Sequence, residues 1–125
     1  MSVSENYLLY VQDQLQTLGP IRIKKMFGAV GIYFEDLIFA CIDDDVLYFK
    51  ADQDTCKHYE ELGMPQFAPY MKATDKLFPM PYWQVHEDIL SDTDRLIEWA
   101  HIAIQVSAAT QKNKKKPSAK KGKAS

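Results

Sequence analysis

Apolar residues near the start of the chain recur at the spacing of one helix face. The stripe is followed by Gly19-Pro20, a pair that interrupts helices. Ser2 and Glu5 have the spacing of a capping box. We therefore predict a first helix from about Val3 to Leu18. Its apolar positions are Tyr7, Leu8, Val11, Leu15 and Leu18.

The pattern then changes to that of β-strands. Ile21–Lys24 alternates between apolar and basic residues, and the runs "VGIYF", "LIFACI" and "VLYFKA" follow. Glu35-Asp36 separates the first two runs, and Asp43–Asp45 separates the last two. Both acidic stretches are typical of tight turns. We expect an antiparallel meander of three or four strands.

One of these strands is apolar at every position. Strict alternation would place Leu37, Phe39 and Cys41 on one face of Leu37–Ile42, and the other three residues on the opposite face. A strand in a two-layer domain usually has one polar face. Either helices cover both faces, or the second face is a protein interface.

The second half of the chain predicts two further helices with short strands between them. A helix from about Gln53 to Leu62 ends at Gly63. The proline-rich stretch that follows favours two edge strands, near Phe67–Met71 and Leu77–Val85. The last helix begins after Ser91, with Asp94 as its capping partner, and continues to about Thr110.

The apolar positions of the last helix cover a wide arc. They leave a narrow polar face of Asp94, Glu98, His101 and Gln105. A helix that contacts only a sheet needs a narrower stripe, so we expect it to contact another element or a second subunit. The apolar positions are Leu96, Ile97, Trp99, Ala100, Ile102, Ala103, Ile104 and Val106.

Charge divides the chain into two parts. Residues 1–110 contain all 17 acidic residues and eight basic ones, whereas residues 111–125 contain seven lysines and no acidic residue. The folded body therefore carries a net charge of −9 and the last segment +7. The segment has no aromatic or branched aliphatic residue, so we predict one folded domain, residues 1–110, and a disordered lysine-rich tail, residues 111–125.

No residue pattern predicts a catalytic, cofactor or metal site. The two cysteines, Cys41 and Cys56, lack metal-site spacing and are interpreted as free thiols in a reducing cytoplasm. No two of the three histidines, His58, His86 and His101, have the spacing of metal ligands. The chain also shows neither a signal peptide nor an apolar run long enough to span a bilayer.

Two glycines interrupt a strand-like stretch, "MFGAVGIY". A phosphate-binding loop would place such glycines between a strand and a helix, but Gly28 and Gly31 lie between two strands. We therefore interpret them as a backbone feature, either a β-bulge or a close approach to a large neighbour such as Phe27 or Trp83.

The stretch "MFGAVGIYFEDLIFACIDDDVLYFK" resembles the TfoX/Sxy N-terminal domain family. The family pattern is roughly R-x-M-F-G-G-x-G-I-Y, then F-A, then L-Y-x-K. Later segments, "FAPYM", "MPYWQV" and "LIEWAHIA", also resemble the family, so the resemblance covers about residues 5–108. This chain departs from the pattern at Lys24, Ala29, Trp83 and His86.

The resemblance implies a fold and a set of structural residues. The fold is a two-layer α+β domain of order α-β(3)-α-β(2)-α, with an antiparallel sheet of about five strands and three helices. The residues of the family motif are Met26, Phe27, Gly28, Gly31, Tyr33, Phe39, Leu47, Tyr48, Lys50, Tyr82 and Trp99.

The resemblance also implies regulation of natural competence for DNA uptake, usually as a transcriptional co-regulator. Our leading hypothesis is a non-enzymatic regulatory domain that binds an unidentified protein partner or forms a homodimer. The alternative is an accessory protein that binds nucleic acid weakly and without sequence preference through its tail. A third interpretation is an enzyme with a site near Tyr33, Tyr48 and Tyr82. The tail lysines are Lys112, Lys114, Lys115, Lys116, Lys120, Lys121 and Lys123.

Overall fold

A computed structural model describes residues 3–26 and 28–115. Within them, four α-helices accompany seven strands and one 3₁₀ turn. The helices are α1 (Glu5–Gln14), α2 (Cys56–Glu61), α3 (Glu87–Leu90) and α4 (Thr93–Lys115), with the 3₁₀ turn at Gln16–Leu18. The strands are β1 (Arg22–Met26), β2 (Ala29–Phe34), β3 (Leu37–Asp43), β4 (Val46–Lys50), β5 (Tyr70–Met71), β6 (Lys76–Leu77) and β7 (Tyr82–Gln84).

The first helix begins two residues later than the capping box predicts. The side chain of Ser4, not of Ser2, caps it, because the Ser4 hydroxyl accepts a hydrogen bond from the backbone N–H of Tyr7 at 3.2 Å. Ser2 lies outside the described residues. The chain leaves the 3₁₀ turn through Gly19, whose φ of +123° suits glycine.

Five strands form one antiparallel sheet in the order β1-β2-β3-β4-β7. The meander before α2 contains four strands, which corrects the three-strand order implied by the resemblance. Both predicted tight turns are confirmed: Glu35-Asp36 and Asp44-Asp45 each have two residues with positive φ, as two-residue hairpin turns of type I′ require. Such turns fix the register of the strands that they join.

The first glycine of the "MFGAVGIY" stretch belongs to a hairpin turn. Met26 pairs with Ala29, and Gly28 between them has a φ of +83°. The sequence analysis expected a bulge or a close approach, and the structure corrects this interpretation for Gly28. Gly31 lies within β2, where it is buried and pairs with Lys24 and Cys41.

The proline-rich segment forms a hairpin that extends from the edge of the sheet. β5 and β6 pair only with each other, while β7 joins the main sheet beside β4. Backbone hydrogen bonds continue between the two arms, from Phe67 N–H to the Tyr82 carbonyl and from Phe78 N–H to the Pro69 carbonyl, both 2.8 Å. The two predicted edge segments are therefore present, but their regular strands are shorter than expected.

A short helix that the sequence analysis missed precedes α4. The side chain of His86 caps α3 by accepting a hydrogen bond from Asp88 N–H. Ser91 was predicted to cap the last helix, but it is the C-terminal cap of α3. That role belongs to Asp92, whose carboxylate accepts from the backbone N–H of Arg95 at 3.4 Å.

The last helix has the predicted polar face, and its contacts with other elements account for its wide apolar arc. Asp94, Glu98, His101 and Gln105 are all exposed. Trp99 packs edge-on against Tyr59 of α2, with ring centroids 4.8 Å apart. Helix α2 therefore covers part of the apolar arc of α4. The helix continues five residues beyond Thr110 to Lys115, and the disorder predicted for the rest of the tail lies outside the described residues.

The main core lies between the helices and one face of the sheet. All four α-helices contribute to it, through residues such as Val11, Tyr59, Ile89 and Leu96. The largest fully buried side chains are Phe39, Phe49, Leu15, Ile32, Ile42, Leu47, Ile89, Leu96 and Val11.

Candidate interaction face

The strand register assigns every sheet residue to one of two faces. Ile32, Ala40 and Phe49 are paired across three strands and belong to the main core, which identifies the helix face. The neighbouring row, Gly31, Cys41, Tyr48 and Gln84, points the other way. We call this second surface the open face, and its residues are Gly31, Tyr33, Ile38, Cys41, Tyr48 and Tyr82.

A bulge in β3 breaks the strict alternation assumed from the sequence. Ile32 pairs with Ala40 but Tyr33 pairs with Ile38, so Phe39 is the extra residue. Its ring contacts that of Phe49, with centroids 5.9 Å apart, and it is fully buried in the main core. The prediction that Phe39 and Cys41 share a face is therefore wrong. The bulge turns Phe39 toward the helices, whereas Cys41 lies on the open face.

The open face has a small buried centre of its own. Cys41 and Tyr82 are 5% and 7% exposed, yet neither belongs to the core beneath the helices. The hairpin arm shields one end of the face, where the rings of Tyr48 and Phe67 lie with centroids 4.6 Å apart. Because Tyr48 and Phe67 remain partly exposed, this cover is incomplete.

The other end of the open face carries a charge beside an aromatic ring. The guanidinium of Arg22 lies 5.3 Å from the ring centroid of Tyr33, within the range of a cation–π contact. The same group forms an ion pair with Asp36 at 3.1 Å. Both charged side chains are largely exposed, so the pair contributes little to stability and mainly orients Arg22 over the ring.

Burial disfavours ionisation of three groups on the open face, Cys41, Tyr48 and Tyr82. It raises the pKa of the Cys41 thiol to about 12, with a further contribution from the Asp43 carboxylate. Burial also raises the pKa of Tyr48 and of Tyr82. A thiol that stays protonated is a poor nucleophile. The face therefore offers apolar and hydroxyl contacts, and it contains the three tyrosines of the third sequence interpretation, Tyr33, Tyr48 and Tyr82.

Outside the open face, two clefts open at the ends of the strands. The first, of about 800 Å³, lies between α1 and α3 and includes Tyr7, Asp45, His86, Glu87 and Asp88 in its wall. We call it the acidic cleft. The second, of about 550 Å³, has a mainly apolar lining and includes Lys50, Cys56 and Trp83.

The comparison with protein families identifies the domain. The model of the TfoX N-terminal domain matches residues 13–107, which is most of the chain. The chain belongs to the TfoX N-terminal domain family. The match confirms the resemblance inferred from the sequence, and it spans every strand and helices α2 and α3 in full.

Two curated relatives of this TfoX-family chain are longer proteins. It is 33% identical over 60 residues to the DNA transformation protein TfoX1 of Aliivibrio fischeri, covering 48% of this chain and 29% of the relative. It is 23% identical over 106 residues to protein Sxy of Escherichia coli, covering 85% of this chain and 50% of the relative. The chain thus spans half or less of the length of these relatives.

The TfoX motif residues divide between the two faces of the sheet. Phe39 and Leu47 are core residues, and Trp99 packs on Tyr59. Those on the open face are Gly31, Tyr33, Tyr48 and Tyr82, with Lys50 at its border beside Tyr82. Met26 precedes the first turn and Gly28 lies within it, while Phe27 lies outside the described residues.

Sequence reasoning missed the place of Cys41 on the open face and the contact of Phe67 with Tyr48 that shields one end of it. It assigned Cys41 to the face of Phe39, because the bulge has no evident signal in an all-apolar strand. Phe67 contacts Tyr48 because the long hairpin brings it back to the sheet. Its predicted position in an edge strand was the one signal in the sequence that pointed to such a contact. Of the tail lysines, Lys112, Lys114 and Lys115 belong to the C-terminal end of α4, and the others lie outside the described residues.

Other chemistry is sparse in the part of the chain that the structure describes. It contains no group of three or more His, Cys, Asp or Glu side chains placed to hold a metal ion. His58 and His101 are exposed, and His86 caps α3. No described helix has both the length and the apolar character needed to cross a bilayer.

Proposed function

We propose that this chain is a non-enzymatic regulatory domain of DNA transformation that acts by binding a protein partner through the open face. Membership of the TfoX family supports the regulatory part of the proposal. So does the name of the Aliivibrio fischeri relative, a DNA transformation protein. The resemblance noted in the sequence implies a role in the control of natural competence, usually through transcription.

The open face is the observation that carries the binding part of the proposal. Tyr33, Ile38 and Tyr48 are partly exposed on a surface that lies opposite the helices. Tyrosine contributes a large apolar ring together with a hydroxyl, and it is enriched at residues that dominate binding energy in protein interfaces. Four residues of the family motif lie on this same face, and none of them belongs to the main core.

The chemistry of the face supports recognition over catalysis. The thiol of Cys41 is buried and protonated, and the tyrosine hydroxyls of Tyr48 and Tyr82 are harder to ionise than usual. Both cysteines are free thiols, which suits a reducing cytoplasm. A neutral aromatic surface of this kind can be buried against a partner at a low cost of desolvation.

Genetic complementation tests the regulatory proposal. Deleting the gene should lower the transformation frequency and the transcript levels of DNA-uptake genes in the organism that carries it. Restoring the full chain, or a chain ending at Lys115, should recover both, because the proposed working surface lies in the folded body. Unchanged transformation in the deletion strain would contradict the regulatory role, and failure of the shortened chain would contradict the role of the body.

The lysine-rich segment favours a second candidate, weak binding of nucleic acid. Seven lysines can neutralise at most about seven phosphates, so the slope of log K against log salt on duplex DNA should be about −6 or shallower. Lysines in a tail do not read base edges, so binding should not depend on sequence. Tight, sequence-selective binding that persists without the tail would instead locate a nucleic-acid surface on the body.

A further inference from the structure

We propose that the partner of the open face is a second copy of this chain, whose hairpin arm, residues 66–81, packs on the exposed end of the face. The inference rests on the proposed function, because it names the partner of the same surface. In the resulting two-fold dimer, each copy contributes one arm and one face.

The hairpin arm carries a large share of the exposed apolar surface. Seven large hydrophobic side chains are exposed among the described residues, and four of them belong to this arm. They are Tyr70, Met71, Leu77 and Phe78, which are between 43% and 65% exposed. The two strands near its tip, β5 and β6, pair only with each other. An exposed apolar surface of this kind is typical of a contact with another protein.

One side of the arm continues the apolar surface of the open face. Phe67 lies on this side, because its ring contacts that of Tyr48. Side chains alternate along an extended strand, so Pro69 and Met71 point the same way as Phe67. Phe78 joins them, since it lies opposite Pro69 and its N–H donates to the Pro69 carbonyl. These aromatic and apolar side chains therefore form one strip that begins on the sheet and ends on the arm.

The strip has two unlike halves, and both are incompletely covered. On the sheet half, Tyr33 and Ile38 are partly exposed. On the arm half, Met71 and Phe78 are 43% and 54% exposed. A two-fold axis places the arm half of each copy on the sheet half of the other, so one contact made twice covers both halves. A different protein would need a matching arm and a matching face of its own to do the same.

The tip of the arm is positively charged in a body that is otherwise acidic. Residues 66–81 contain Lys72, Asp75 and Lys76, a net charge of +1, whereas the rest of residues 1–110 carries −10. Asp75 accepts a hydrogen bond from the hydroxyl of Tyr70 in the same arm. The two lysines of the tip therefore suit an acidic surface on a second copy.

The open face has a carboxylate where the tip of a partner's arm would lie. Asp43 follows Cys41 by two residues on β3, and its carboxylate helps to raise the pKa of that thiol, so it belongs to the same face. The arm leaves the sheet at the start of β7, which pairs with the end of β4, whereas the β3–β4 turn after Asp43 lies at the other end. A two-fold axis reverses the direction of the partner's arm, so its tip points toward Asp43.

Sedimentation of the full-length chain tests the dimer, with substitutions on opposite sides of the arm. Phe78→Ser changes the strip, and Leu77→Ser is the matched control, because Leu77 is more exposed but points to the other side. Thermal melting of each variant verifies that it is folded. We expect a reversible dimer whose dissociation constant rises about tenfold or more in Phe78→Ser and less than about twofold in Leu77→Ser. Equal weakening in both variants, or a full-length chain that stays monomeric at about 100 μM, would overturn the proposal.

Mixing two variants tests whether an arm contacts a face. Phe78→Ser damages the arm and Ile38→Lys damages the face; Tyr33→Ser replaces Ile38→Lys if that variant unfolds. A mixed pair keeps one intact contact of arm on face, whereas neither variant keeps one with itself. We therefore expect fluorescently labelled variants to associate at least about fivefold more tightly with each other than with themselves. No gain on mixing would overturn the proposal, because it would indicate contact of arm on arm or of face on face.

Transformation frequency in the complemented deletion strain separates this inference from the proposed function. A monomeric chain whose Ile38→Lys variant still loses transformation would overturn the dimer and leave the open face as the site of a different protein. A dimer that is lost in Phe78→Ser without any loss of transformation would support the dimer and contradict the functional role of the face.

Discussion

The two faces of the same sheet differ in what covers them. On the helix face, Ile32, Ala40 and Phe49 are fully buried under α-helices. On the open face, Tyr33, Ile38 and Tyr48 stay partly exposed, whereas Gly31, Cys41 and Tyr82 are buried. One face therefore stabilises the domain, while the other combines aromatic side chains with access from outside.

The two faces look alike in the sequence although different elements cover them. A strand that packs on helices and a strand that packs on a partner both need apolar side chains on the surface that is covered. The run Leu37–Ile42 has such side chains on both faces, so its pattern indicated two covered surfaces but could not say what covers the second.

Truncation of a large side chain on each face should give the largest contrast. We expect Phe49→Ala to lower the free energy of unfolding by about 3–5 kcal/mol, because it opens a cavity in the main core. Tyr48→Ala should cost about 1–2 kcal/mol, because its ring is partly exposed and loses mainly its contact with Phe67. Urea unfolding followed by circular dichroism measures both, and equal costs would show that the two faces are equally structural.

The thiols offer a second contrast, in reactivity. Cys41 should be alkylated at pH 8 more than about a hundredfold more slowly than the accessible Cys56, because burial raises its pKa to about 12. Since the unfolded thiol ionises first, stability from Cys41 is full below pH 9 and declines as the pH rises toward 12. Mass spectrometry of iodoacetamide-treated protein checks the rates; similar rates would mean that the centre of the open face is readily exposed.

The first hairpin turn tests whether the strand register is enforced locally. Gly28→Val should destabilise the domain by about 1–3 kcal/mol, because a β-branched residue is strained at a φ of +83°. Ala29→Val, at a position of ordinary φ in β2, is the matched control and should cost less than about 0.5 kcal/mol. Thermal and urea unfolding that show wild-type stability for Gly28→Val would remove the requirement for glycine.

A substitution in the turn between β2 and β3 should give a small gain in the free energy of unfolding. Glu35 has a φ of +49°, a conformation in which asparagine is better tolerated than glutamate. We expect Glu35→Asn to raise the free energy of unfolding by about 0.5 kcal/mol without moving Tyr33 or Ile38 on the open face. Glu61→Asn on α2 should give no gain, and a loss of stability at Glu35→Asn would show that the glutamate makes an interaction worth more than its backbone strain.

Local patterns were enough to predict most of the fold. Glycine and proline at residues 19–20 marked the end of the first helical segment, although its α-helix ends at Gln14 and the predicted last turn is the 3₁₀ turn Gln16–Leu18. Acidic pairs fixed the two tight turns, and the spacing of Glu98, His101 and Gln105 identified the exposed face of α4. Helix α3 was missed because it is four residues long, too short for a periodic signal, and its cap is a histidine side chain.

The composition of the open face was harder to predict for a physical reason. A bulge inserts one residue into a strand without changing its apolar character, so the sequence alone placed Phe39 and Cys41 on the same side. The contact of Phe67 with Tyr48 joins residues 19 positions apart through a hairpin whose path is set by tertiary hydrogen bonds. The aromatic residues were recognisable in the sequence, but their common surface required the register.

A charge placed on the open face tests the central claim most directly. Ile38→Lys adds one charge to this surface beside Tyr33, and Leu9→Lys adds the same charge to an exposed position of α1 outside the acidic cleft. Melting temperatures within a few degrees of wild type would verify both folds, and Tyr33→Ser replaces Ile38→Lys if that variant unfolds. Transformation frequency is measured in the deletion strain complemented with each variant. We predict a loss of about tenfold or more for the open-face variant and a change of less than about twofold for Leu9→Lys. Wild-type frequency in a folded open-face variant would contradict the assignment of this face as the working surface of the domain.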